Sequence, residues 1–217
     1  MDTNYWNNFY TCSNQDMDMC RPSPFAQYVL PHLTTGGKLL ELGCGNGRDC
    51  TFFANQGIHV TALDMSEIAV SSLQNREVIS GSLQVFCDDF VCSVKLVDGE
   101  YDYVYSRFTL HSINEEQENQ LLQNVFVSLK EGGKFFIEVR SILDDIYGLG
   151  EQVGRNSYIY NDHFRRFIVL DELIQKMLEV GYVITLAEEK RGFAPFKNED
   201  PIVIRVIAEK NVEQTNP

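Results

Sequence analysis

Apolar residues fall along this chain in short runs, each stopped by glycine, an acidic residue or a polar turn, and between the runs they recur at helical spacing. Lys38-Leu39-Leu40-Glu41-Leu42 is such a run. It ends in Gly43-Cys44-Gly45-Asn46-Gly47, after which Asp49 to Asn55 can carry a helix. Ile58 to Leu63 reads as a second strand ending at Asp64, with Ser66 and Glu67 opening a helix towards Arg76. Leu83 to Phe86 gives a third strand, stopping at Cys87-Asp88-Asp89-Phe90, and Tyr101 to Tyr105 a fourth. The spacing of Leu121, Leu122, Val125 and Leu129 predicts a helix over Glu115 to Leu129, closed by Gly132 and Gly133. Phe135 to Val139 is a fifth strand. A long polar connection then leads to a helix over Leu170 to Val180, stopped by Gly181. Two last strands, Tyr182 to Ala187 and Ile202 to Ala208, follow with no helix between them.

Strands that alternate with helices call for a mostly parallel sheet covered on both faces. The final pair lacks a crossover and should be antiparallel. Length and a hydrophobic content of 44% suit a single domain. Residues 1–36 stand outside the alternation as a cap, with Tyr5, Trp6, Phe9 and Tyr10 ahead of Arg21-Pro22-Ser23-Pro24-Phe25 and a helix-like stretch to Leu30. The aromatic cluster suits either a hydrophobic anchor for a terminal helix or a lid over a ligand. Residues 37–140 form the core, 141–210 an insertion and the final strands, and 211–217 a frayed tail.

Glycines 43, 45 and 47 stand where a buried strand becomes a helix, a place where backbone N–H groups are unpaired and a side chain would obstruct a ligand. Their spacing differs from the G-x-G-x-x-G of dinucleotide sites. Asp64 ends the second strand, where a carboxylate can accept hydrogen bonds from a ribose diol or cap the next helix. Asp89 and Phe90 end the third strand on the same edge, where a carboxylate can bind an amino-purine and a ring can pack on it. Glu41-Leu42-Gly43-Cys44-Gly45-Asn46-Gly47, Asp64, Asp89-Phe90 and Leu129-Lys130-Glu131-Gly132-Gly133 together resemble the successive motifs of class I S-adenosylmethionine-dependent methyltransferases. The resemblance implies an α/β, Rossmann-like, seven-stranded sheet with an antiparallel final strand and helices on both faces. It also implies S-adenosyl-L-methionine as cofactor and S-adenosyl-L-homocysteine as product. Gly43, Gly45 and nearby backbone would hold the methionine part, Asp64 the ribose, and Asp89 with Phe90 the adenine. Glu41, Cys44, Gly47, Met65, Ser106 and Tyr10 complete the expected cofactor set. Arg48 either joins that set or belongs with Asp49 to an ordinary polar helix start.

The formal charge of -13, from 18 Lys+Arg against 31 Asp+Glu, repels phosphate backbones and anionic lipids. Neither nucleic acid nor a membrane is an expected partner. No run approaches a bilayer span and the N-terminus lacks the parts of a signal peptide, so a cytoplasmic location is expected. Six cysteines are spread without a C-x-x-C pair, and no metal site is expected.

Within so acidic a chain, Arg107, His111, Arg140, His163, Arg165, Arg166 and Arg191 fall at strand ends or in connections, with Tyr147, Tyr158 and Tyr160 nearby. Arginine pairs bidentately with carboxylate or phosphate. The set, with Tyr158, points to a small anionic acceptor, phosphorylated or carboxylated, methylated on oxygen by direct displacement. An anionic nucleophile needs no base, whereas an alcohol would call on His111 or His163. Alternatives are methyl transfer to nitrogen or sulfur, an NAD-dependent oxidoreductase, and a catalytically silent cofactor-binding homologue.

Overall fold

A computed structural model describes residues 3–13, 21–74, 76–97 and 100–211. Its strands are β1 (Lys38–Leu42), β2 (His59–Asp64), β3 (Ser82–Cys87), β4 (Tyr101–Arg107), β5 (Leu129–Arg140), β6 (Glu151–Gly154), β7 (Ser157–Tyr160), β8 (His163–Arg166), β9 (Tyr182–Lys190) and β10 (Val203–Lys210). Seven of them form one sheet in the order β3-β2-β1-β4-β5-β10-β9. β1 to β5 run parallel, and β10 is antiparallel to both of its neighbours. This is the mostly parallel α/β sheet that the alternation predicted, with the antiparallel strand where the missing crossover required one.

Period-two alternation sends neighbouring residues into two cores. Leu40 and Leu42 of β1 join Leu63, Val104, Ile137 and Val206 on one face. Leu39 joins Val60, Ala62, Tyr105, Phe136 and Ile207 on the other. α6 (Glu115–Ser128) and α7 (Leu170–Val180) cover the first face through Leu121, Leu122, Val125, Leu173 and Met177. α2 (Pro24–Val29) and α3 (Arg48–Asn55) cover the second through Phe25, Ala26, Val29, Cys50, Phe53 and Ala54. α2 starts well: Pro24 occupies its first turn and the Ser23 hydroxyl accepts from Ala26 N–H. Asp49 ties that cap to the sheet, accepting from Ser23 N and Oγ at 2.7 Å each and from the Tyr105 hydroxyl at 2.9 Å. The Arg48-Asp49 pair is therefore split, with Asp49 serving the structure.

Three local expectations change. The helix predicted to Leu129 ends at Ser128, and Gly132-Gly133 do not close it: Leu129 turns to φ -75, ψ 140 and begins β5. Lys130 binds Asp102 and Lys210 caps the Leu129 carbonyl at 2.7 Å, so the glycine stretch is drawn into the sheet as an irregular start to the strand. α4 (Glu67–Leu73) stops short of the predicted Arg76. The polar connection after β5 is not structureless: β6, β7 and β8 form a separate antiparallel sheet. The N-terminal aromatic cluster lies on a helix, α1 (Thr3–Ser13). Of the predicted frayed tail, all but Asn211 lies outside the described residues. Among the described residues no helix is long and apolar enough to cross a membrane, and no group of three or more His, Cys, Asp and Glu is placed to hold a metal ion.

Candidate functional site

From β1 the chain moves outward to β2 and β3, then returns to place β4 on the other side of β1. A crevice opens at the carboxyl ends of strands where the order reverses in this way. A cavity of about 350 Å³ lies there, lined by Glu41, Gly43, Cys44, Gly45, Arg48, Asp64, Met65 and Phe90 on one side and by Arg107, Phe108, His111, Arg140, His163 and Arg165 on the other.

The glycine turn is closed on itself. Cys44 N–H donates to the Leu63 carbonyl, Gly47 N–H to the Cys44 carbonyl and Gly45 N–H to Asp64 Oδ2, at 2.8–2.9 Å. The amides expected to be unpaired at Gly45 and Gly47 thus have partners, as Cys44 does, because the turn folds back on the end of β2. Gly45 is needed for its backbone, at φ 54, and because a Cβ there would strike the Tyr10 ring. Gly47, at φ 76, packs against Leu73 and is absent from the cavity wall. Asp64 also accepts from Ser66 N–H at 2.8 Å, so its carboxylate clamps the glycine turn to the start of α4. Burial raises its pKa, against the lowering effect of these two bonds. Glu41, at the end of β1, is 4% exposed and its Oε2 has no hydrogen-bond partner among the described residues. Burial, with Cys50 and Asp49 adding repulsion, holds its carboxyl well above the usual range.

α1 lies across the opening. Its Asn7 accepts from the Ser66 hydroxyl at 2.6 Å, Tyr10 rests on Gly45, and Tyr5 stacks on His163 with ring centroids 4.2 Å apart. Tyr5, Trp6, Phe9 and Tyr10 all line the cavity, so the aromatic face that anchors the helix also covers the ligand space.

The basic residues separate. β8 alternates, and His163 and Arg165, two apart, line the cavity, whereas Arg166 is buried elsewhere, donating to Ile113 O and pairing with Glu118. Arg191 is exposed and pairs with Asp145, and Tyr158 packs on Tyr147 and Phe167; neither reaches the cavity. Arg107 donates to Glu138 at 2.9 Å, and Arg140 pairs with Asp144 at 2.9 Å and Glu199 at 3.2 Å. His111 is 5% exposed, with Nδ1 unpartnered among the described residues. Burial, reinforced by His163 and by the surrounding arginines, pushes its pKa well below 6.5. Two cofactor expectations also fall away from the wall. Asp89 accepts from Val91 N–H at 2.9 Å and closes its own turn, and Ser106 bonds to Thr109 beneath the surface.

Sequence reasoning missed Phe108, Phe196 and Glu199. A signal for the last two existed: β9 runs parallel to β5, so the irregular connection from Gly192 to Pro201 has to start at the ligand edge.

Residues 39–133 match a family described as a methyltransferase domain. A phosphoethanolamine N-methyltransferase of Triticum aestivum is 33% identical over 122 residues, 54% of this chain and 23% of that protein. The chain spans between 23% and 51% of the length of the first curated relatives it matches. A S-adenosylmethionine-dependent methyltransferase structure from Methanosarcina mazei superposes with TM-score 0.74 at 16% identity, over 86% of this chain and 98% of that one. The 1,6-didemethyltoxoflavin-N1-methyltransferase of Burkholderia thailandensis, solved with its substrate and S-adenosylhomocysteine, gives 0.72 at 18% identity, over 97% and 87%.

Proposed function

With a class I methyltransferase domain on a Rossmann-like fold as premise, we propose that this chain transfers a methyl group from S-adenosylmethionine to an oxygen of a small anionic metabolite, carboxylated or phosphorylated. The observation that carries the reading is one cavity with two unlike walls, acidic and glycine-lined at β1 and β2, cationic at β4, β5 and β8. In a chain of charge -13, that concentration of arginine around one cavity favours an anionic acceptor over nucleic acid. A cytoplasmic location goes with this reading.

The residues present fit the cofactor. The unpartnered, buried Glu41 Oε2 suits an ammonium group, and the turn from Gly43 to Gly45 lines the cavity beside it. Asp64, Met65 and Phe90 line the neighbouring wall, where ribose and adenine would lie, and Arg48 stands near the amino-acid end. When bound, S-adenosylmethionine supplies an electrophilic methyl group on a sulfonium. The chain's contribution is to hold an acceptor in line behind that carbon and to keep water out, with α1 as the cover. An anionic oxygen needs no base. For an alcohol, His163 on the same wall is the candidate base, since the burial and the arginines that hold His111 neutral also oppose its taking a proton. Nitrogen in place of oxygen is the second reading, favoured by the ring faces of Tyr5, Trp6 and Tyr10, which suit the cation that a neutral amine becomes on taking the methyl.

Calorimetry with S-adenosylhomocysteine and with NAD tests the cofactor: the first should bind and the second should not. Asp64→Ala should weaken S-adenosylhomocysteine by about 1.5–3 kcal/mol, the worth of a hydrogen bond to a charged group. Methyl transfer to a panel of carboxylates, phosphate monoesters and phosphorylated amines then separates an enzyme from a silent homologue and oxygen from nitrogen. A best substrate without an anionic group would refute the acceptor class and leave the cofactor assignment standing.

A further inference from the structure

We infer that Arg165 is the residue that binds the acceptor's anionic group, by presenting a guanidinium fork to two oxygens of a carboxylate or phosphate monoester. The inference takes its ligand from the methyl-transfer reading; the cation it rests on does not depend on that reading. Four arginines line the cavity; two are held by carboxylates at hydrogen-bond distance, and a third, Arg48, stands on the opposite, glycine-lined wall. Arg107 is held by Glu138, Arg140 by Asp144 and Glu199, and Arg48 lies 3.8 Å from Asp49. Arg165 makes one hydrogen bond, from a terminal nitrogen to the Tyr160 carbonyl at 3.1 Å, and has no carboxylate partner among the described residues. A guanidinium carries five N–H donors, so most of its fork remains for a ligand.

The surroundings of Arg165 raise the demand for an anion. Its burial and the positive charge of Arg140 oppose the cation, whereas Tyr5, Glu199 and Asp144 favour it, and the two acids are already paired with Arg140. A partly buried cation facing another cation is stabilised by an anion placed between them. Its strand is also held on both sides: His163, two residues before, stacks on Tyr5, and the following Arg166 is locked to Glu118 and the Ile113 carbonyl. The side chain is thus presented from a rigid strand, with His163 beside it on the same face.

The test titrates inorganic phosphate and, separately, acetate into the full chain saturated with S-adenosylhomocysteine, followed by NMR chemical shifts. At least one anion should bind, and Arg165→Met should weaken it by about tenfold to a hundredfold, as loss of a charge-assisted contact does. Arg165→Lys should recover part of the affinity, and preference for phosphate or acetate identifies the group. Arg191→Met, which removes the same charge away from the cavity, should leave binding unchanged. Wild type that binds neither anion, Arg165→Met that binds as wild type does, or Arg191→Met that loses as much, would each overturn the inference. Melting curves of each variant report folding. If S-adenosylhomocysteine itself fails to bind, the methyl-transfer reading falls, and the same titration in its absence still decides the role of Arg165.

Discussion

Phe108, the residue after β4, sits at φ 56, a left-handed conformation that costs a non-glycine residue about 1–2 kcal/mol. Its ring lies 4.4 Å from Arg107 Cζ and 5.7 Å from Arg140 Cζ, and 5.7 Å from the His111 ring. The turn therefore aims an aromatic face into the cavity between two cations at a backbone cost. Phe108→Gly should be more stable to urea than Phe108→Ala by about 1 kcal/mol, the reverse of the usual order, since both lose the ring and one escapes the strain. Equal stabilities would mean that the strain is absent. His111 gives the second prediction at this scale. Its folded pKa lies well below 6.5, so at pH just under that value the unfolded chain takes up a proton that the folded chain refuses. Its contribution to stability is complete above about pH 6.5 and declines as pH falls, by at most about 1.4 kcal/mol per unit. Unfolding free energy should fall less steeply between about pH 6.5 and 5 in His111→Gln than in wild type. Both residues belong to a segment, Ser106 to His111, whose basic character the sequence displays; its strain could not be read there, because nothing but tertiary pairing forces a phenylalanine to φ 56.

Elements were legible where burial on both sides makes a strand almost wholly apolar. Leu39 to Leu42 is wholly buried and stands out in the sequence, whereas β6 is exposed throughout and its residues read as a polar connection. That difference explains why Arg165 and Arg166 looked alike: until β8 is known to be extended, adjacent residues cannot be assigned to opposite faces. The start of β5 was hidden for another reason. Lys130 to Gly133 have the composition of a helix stop, and only the pairing of the flanking Leu129 and Lys134 with β4, with Lys130 on Asp102, draws them into the strand. Ser66 shows how elements are coupled. Its hydroxyl accepts from Ala69 N–H as the cap of α4 and donates to Asn7 of α1. Ser66→Ala should cost about 1 kcal/mol for the cap. It should also loosen the cover, seen as faster amide hydrogen exchange in α1 than in α6; unchanged exchange in α1 would show that the aromatic contacts alone hold the helix.

For the molecule as a whole, a charge of -13 means that an anionic ligand is repelled at long range and captured at short range by guanidinium groups. Added salt should therefore speed association of an anionic probe, since screening acts beyond about 10 Å, while weakening its final affinity; a rate that falls with salt would indicate a local positive field strong enough to steer. The sheet order carries a different consequence. β10 is the last of the described strands in the chain, yet it lies between β5 and β9, and its first six residues are buried. Removing residues 203–217 should abolish cooperative unfolding and leave an aggregating chain, because Phe135, Phe136, Ile137 and Val139 lose the strand that covers their edge. A monomeric variant with a sharp transition would refute this. During synthesis the ligand edge at β1, β2 and β4 emerges early, but β9 reaches the nascent sheet before the strand that is to join it there. β9 has to wait on an open edge, so the interval between the appearance of β9 and of β10 is when this chain most needs a chaperone.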